Sequence, residues 1–221
     1  LVATLRAIAQ LALAGWALAL ILDDDTSTVF AWLWVGAMVP AAALTAKRRE
    51  SRLPGLMLST SIGYIFGLGV SLTVVFALGI MPLENRVLVP SAGMIVGNSL
   101  KVVVVAATRL VDAVRDQSGE IEAMLALGID RRRSLNKVRT EALRLALLPQ
   151  IETTRSVGIV FLPGVLTGLI LAGIDPLDAA IIQASVLFLI LGSAAITGLV
   201  VVITGANQFI TNDQRLVIPE P

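Results

Sequence analysis

The chain has 221 residues, 56% of them hydrophobic and 15% charged, with a mean hydropathy of +0.87. Soluble domains carry about 25% charged and about 45–50% apolar residues, so this composition belongs to the membrane class. It contains no cysteine and no histidine, which excludes a disulfide framework, a thiolate nucleophile and Cys or His metal ligands, and removes the commonest general base. No enzyme activity is expected of it.

In chain order, the sequence opens at Leu1 inside an apolar run, without a methionine or a signal-peptide n-region, and reads as having lost N-terminal sequence. Six apolar segments follow, roughly 3–22, 29–46, 54–80, 87–108, 157–173 and 177–204. Each is near the ~20 residues that cross ~30 Å of hydrocarbon as a helix. The predicted fold is therefore all-α: a single membrane domain over 1–221 with six transmembrane helices and a cytoplasmic helical segment at 109–156. Short connections carry the charges. Lys47, Arg48, Arg49 and Arg52 fall on one side together with Arg109, Arg115, Arg131, Arg132, Arg133, Lys137, Arg139, Arg144 and Arg155. Asp23, Asp24, Asp25, Glu84 and Arg86 fall on the other. The excess of Lys and Arg on cytoplasmic loops puts the long connection and the C-terminus inside, as in a bacterial inner-membrane protein.

Within the fourth segment, Gly93 and Gly97 form a small-xxx-small pair that favours helix packing. Asn98 needs a partner in hydrocarbon, either on another helix or along a path. Lys101 can snorkel to the inner interface or line that path.

The polar stretch 112–155 follows. Ser118 is a candidate N-cap for a short acidic helix holding Glu120 and Glu122. Gly128 suits its C-terminal turn. Asp130 is placed to cap a second helix running to about Leu148, with Leu135, Val138, Ala142 and Leu145 as its apolar stripe and Lys137–Glu141 as an i,i+4 pair. Pro149 ends or kinks it. Such an element either lies on the inner leaflet or docks a cytoplasmic protein.

Leu162-Pro163-Gly164 breaks the fifth segment, with Thr167 and Gly168 a turn later. This is a candidate gate or substrate contact, or a packing kink. Gly168 joins the candidate packing glycines. Gln183 lies inside the last segment. Glu152 and Arg155 are spaced to pair, and Asp175 and Asp178 flank a tight turn, where Asp178 can cap. Oxygen donors such as Asn98, Thr167, Gln183 and Glu152 are the only hard ligands on offer, with Met94 the nearest soft one. No metal-ligand set is assigned.

EAMLALG at 122–128 resembles the EAA loop of ABC-transporter permeases, although Pro149 stands farther from Gly128 than in that pattern. LVPSAGMIVGNS at 88–99, EAMLALGID at 122–130, SVGIVFLPGVLTGLILAGIDPLDAAIIQ at 156–183 and FITNDQRLV at 209–217 resemble the FetB-type iron-export permeases, a family that includes plant proteins of aluminium tolerance. The resemblance spans essentially the whole chain and implies one further membrane segment before Leu1. It also implies a permease subunit of an ABC transporter, exporting iron or another metal ion or small solute. Glu122, Ala123, Gly128, Asp130 and Pro149 would couple to a separate ATPase. Asn98, Pro163, Gly164, Thr167 and Gln183 would line or gate the path. Two copies would form it, in a lipid bilayer, with ATP and Mg on the partner, no cofactor on this chain and no nucleic acid. A channel or secondary transporter without an ATPase, and a membrane scaffold, are the alternatives.

Overall fold

The computed structural model describes residues 2–21, 27–159, 162–211 and 213–218. Helix α1 spans Val2–Ile21, α2 Thr28–Arg49, α3 Leu56–Ala77, α4 Asn85–Asp116, α5 Ser118–Ala126, α6 Arg131–Ser134, α7 Asn136–Ser156, α8 Gly164–Leu171 and α9 Pro176–Ala206. A 3-10 turn at Asn207–Phe209 extends α9. Among the described residues the secondary structure is helical apart from isolated bridges, such as the antiparallel one between Ile210 and Leu216. Asp23, Asp24 and Asp25 lie outside the described residues.

Among the described residues, four helices are long and apolar enough to cross a membrane: α2, α3, α4 and α9 with its 3-10 extension. The expected span at 157–173 does not form one helix. Among its described residues only α8, eight residues and about 12 Å long, is helical. Pro163 cannot donate to a helix, and Gly158 sits at φ +82°, outside helical space.

The centre is built by α3, α4 and α9. On α3, Gly63 and Gly67 face Thr197 and Ser193 of α9 so closely that a Cβ on Gly67 would strike the Thr197 hydroxyl and lie 2.8 Å from the Ser193 carbonyl. The Thr197 hydroxyl donates to the Gly63 carbonyl at 3.2 Å. Membrane helices have little hydrophobic drive to associate with one another, so close backbone approach across small residues is what holds such a pair. The Tyr64 hydroxyl reaches the Val96 carbonyl of α4 at 3.0 Å, which satisfies the one polar atom of a buried ring. Two apolar clusters continue this core. One, around Tyr64, Leu72, Leu88 and Ile190, joins α2, α3, α4 and α9. The other, around Leu110, Val138, Ala142 and Val202, seats α7 on α4 and α9.

Candidate functional site: an elbow at the basic end and a broken span

At the end of the bundle carrying Lys47, Arg48 and Arg49, Glu50 caps α2 and is buried. Its carboxylate accepts from Arg52 Nε at 2.9 Å, Arg52 Nη2 at 2.8 Å, the Arg52 backbone N–H at 3.1 Å and Thr108 Oγ1 at 2.8 Å. Arg52 Nη1 then donates to Asp112 at 3.0 Å. The Arg52 guanidinium holds the Glu50 carboxyl below its ordinary value of 4.5, against the opposing effect of burial, and the carboxylates raise Arg52 in return. This clamp fixes the α2–α3 connection to α4 where α4 continues past the other helices.

Beyond it α4 turns into the elbow. Gln117, rather than Ser118, is the N-cap of α5, and its side chain makes no capping bond; it donates to Glu141 at 3.4 Å instead. The α5 helix ends at Ala126, and Gly128, at φ +79°, makes the left-handed turn expected of it. Asp130 caps by accepting from the Arg132 N–H at 3.0 Å. The helix it caps is the four-residue α6, and α7 starts afresh at Asn136. Lys137 pairs with Glu120 at 2.8 Å, not with Glu141, so the bond ties α7 to α5 rather than stapling one helix. Glu122, Ala123, Leu127 and Gly128 are exposed on the elbow. A groove of about 790 Å³ runs between α5 and the chain end, lined by Glu122, Leu125, Asp213 and Arg215. Arg131 donates to the Asn207 carbonyl at 3.3 Å and Arg139 to the Asn207 side chain at 2.6 Å, which anchors the elbow to the end of α9.

Pro149 does not belong to this elbow. It lies inside α7, which continues to Ser156, about 20 Å along the helix from Asn136. A proline leaves the carbonyl four residues back without its helical donor but does not force an end when packing holds the helix. The buried stripe of α7 is Val138, Ala142 and Ala146, with Leu135 just before it; Leu145 is exposed. Val102 of α4 and Leu143 of α7 both pack against Gly198. Val102 is six residues, about 9 Å, above the clamp residue Thr108. Glu152 lies nine residues, about 13 Å, beyond Leu143, and so about 20 Å above the clamp. Helix α7 thus ends at Ser156 and α8 begins at Gly164, two separate helices on either side of Pro163.

The break is held by Gln183. This buried side chain of α9 accepts from the Leu166 N–H at 3.1 Å, a donor at the open first turn of α8. Pro163 is the N-cap of α8 and Gly164 its first residue. Thr167 is exposed, and its hydroxyl returns to the Pro163 carbonyl at 3.2 Å. Asp175, rather than Asp178, caps α9, accepting from the Leu177 N–H at 2.9 Å. The structure therefore brings Gln183, Pro163, Gly164 and Thr167 together.

Asn98 stands apart from them, half-buried on α4, and donates to the Met94 carbonyl of its own helix at 2.9 Å. Gly93 meets only the tip of Met38 on α2, at 3.8 Å, while a Cβ at Gly97 or Gly168 would meet nothing within 4 Å. The close helix crossing inside this chain is made instead by Gly63 and Gly67. Their own G-x-x-x-G spacing, in GYIFG, could have shown it. Among the described residues no three acidic side chains gather to hold a metal ion.

A family model described as "Uncharacterised protein family (UPF0014)" matches residues 1–210. The chain is 32% identical over 216 residues to the UPF0014 membrane protein YjkA of Bacillus subtilis (strain 168), covering 98% of this chain and 86% of that protein. It is 30% identical over 217 residues to the "Probable iron export permease protein FetB" of Escherichia coli (strain K12), covering 97% and 83%. It is 30% identical over 196 residues to the "Protein ALUMINUM SENSITIVE 3" of Arabidopsis thaliana, covering 88% and 71%. No solved structure matches it.

Proposed function

Since the chain belongs to the UPF0014 family of membrane proteins, we propose that it is the permease subunit of an ABC transporter, exporting iron or another metal ion or small solute with ATP hydrolysed on a separate chain. The basic end is the cytoplasmic face, and the elbow is the coupling element. One observation carries this reading: Leu127, at the tip of the elbow, is 80% exposed beside Glu122, Ala123 and Gly128. A large apolar side chain held out at the charged end of a membrane protein, on a helix braced on two sides, suits a partner surface rather than water. The bracing gives the contact mechanical use. Lys137–Glu120 joins α5 to α7, and the bonds of Arg131 and Arg139 to Asn207 join the elbow and α7 to the end of α9, so a push on α5 reaches α7 directly and α8 through α9 and Gln183. ATP and Mg bind the partner, and a second copy of this chain completes the pathway. The iron specificity rests on the name of the Escherichia coli relative.

The test is co-expression with a candidate ATPase, followed by purification in detergent and an ATPase assay. Wild-type protein should retain the ATPase and stimulate it, and Glu122→Lys or Leu127→Asp should abolish both effects while the permease stays folded. Undiminished association and stimulation in both variants would sink the docking reading.

A further inference from the structure

We infer that the exposed face of α7 lines a hydrated, net-positive passage closed by a second copy of this chain, and that it takes a small anion or a metal ion carried within an anionic complex. This deepens the permease reading and rests on it for the direction of transport only.

The face is Arg144, Leu148, Glu152 and Arg155, which recur at helical spacing on the side of α7 turned away from Val138, Ala142 and Ala146. It climbs from the level of Gly198 into the hydrocarbon depth of the bundle. Glu152 and Arg155 pair at 3.0 Å, yet their side chains stay 57% and 72% exposed. Charged groups at that depth turn toward a bundle interior or a water-filled cavity, because lipid cannot solvate them. Among the described residues nothing covers this face, so another copy completes the interior and brings the same stripe to the other wall.

The charge on the stripe decides what can pass. It holds Arg144, Arg155 and Glu152, whose carboxylate is already bonded to Arg155, while Glu141, exposed one turn below Arg144, accepts from Gln117 at 3.4 Å. At the basic end the stripe opens into a groove of about 380 Å³ between α7 and α9, where Arg132, Arg139 and Arg144 converge. Such a mouth concentrates anions and repels bare cations.

The chain has no cysteine, so single cysteines report without background. Leu148→Cys and Ile151→Cys, in the full chain in membranes, are treated with water-soluble methanethiosulfonates; Ile65→Cys serves as control. Ile65 is an exposed residue of α3 next to Tyr64, whose hydroxyl bonds Val96, so it lies at a depth similar to Glu152. Thiolates form in water and not in lipid. Both α7 positions should react at least about tenfold faster than Ile65→Cys, and the anionic sulfonate reagent about tenfold faster than the cationic one. Arg155→Gln should erase much of that preference, and a long bifunctional thiol reagent should join Leu148→Cys chains into dimers.

Reaction no faster than at Ile65→Cys overturns the passage. A preference for the cationic reagent overturns the anionic cargo, and labelling without dimers overturns the second wall. None of these readouts needs the ATPase, so they can fail while docking succeeds, or the reverse.

Discussion

Replacing Glu50 with alanine removes one acceptor serving four donors, three on Arg52 and one on Thr108. Breaking one side of a fully buried ion pair costs about 3–5 kcal/mol. Here the Glu50 side chain is 5% exposed but that of Arg52 is 28% exposed, and Arg52 keeps Asp112 at 3.0 Å. Water and Asp112 therefore recover part of the loss on Arg52. The Thr108 hydroxyl loses about 1 kcal/mol of hydrogen bonding. A total of about 2–3 kcal/mol follows, which lowers the unfolding midpoint of a chain this size by roughly 5–10 °C. Asp112→Asn is the comparison. Its side chain is 42% exposed, so the loss should stay below about 1 kcal/mol. Thermal unfolding of both variants in one detergent measures the difference. Equal shifts would refute the reasoning, since Glu50 is buried and serves four donors whereas Asp112 is exposed and accepts from Arg52 alone among the bonds above.

The same clamp has a pH signature. The folded value of Glu50 lies below its unfolded 4.5, so its contribution is complete above that value and is lost as pH falls through the lowered one. Wild type should lose stability relative to Glu50→Ala only below about pH 4.5.

Gly67→Ala should destabilise the protein by about 1–3 kcal/mol, because the added carbon meets the Ser193 carbonyl, which is backbone and cannot rotate away. Gly69→Ala, which meets nothing within 4 Å, should be neutral in the same thermal assay. Gln183→Leu leaves the Leu166 N–H without its acceptor in a buried place, costing about 1–3 kcal/mol. Hydrogen exchange should show α8 opening faster while α3 stays protected, and unchanged exchange at Leu166 would disprove the tether. Gly128→Val forces a β-branched residue to φ +79°, costing about 1–2 kcal/mol. Exchange across 124–134 should rise, with the core unchanged.

Much of this architecture was legible because helix periodicity and the penalty on polar groups in lipid act locally. Long apolar runs gave α2, α3, α4 and α9 to within a few residues of their cores, and Gly128 and Asp130 marked the elbow through their backbone preferences. The failures share another cause. Pro149 reads as an end or a kink because proline's effect is local, whereas α7 runs on through it to Ser156. Segment 157–173 reads as a span because its composition is apolar, whereas the depth of α7 depends on where Leu143 meets Gly198, a contact between distant parts of the chain. Gln183 was recognisable as a misfit in an apolar run, and its partner, one backbone N–H of α8, was not.

The depth of α7 also bears on how the protein is made. Each arginine or acidic residue near the centre of a helix costs about 2.5–3.5 kcal/mol on entering a bilayer, and Arg144, Glu152 and Arg155 sit together on α7. Residues 136–156 cannot enter lipid alone; they need α4, already synthesised, and α9, still to come. On the passage proposed for α7, biogenesis should finish out of chain order, with a late insertion of an earlier segment. A chain truncated after Gly173 should leave α7 open to protease from the side of the basic end, and the whole chain should shield it.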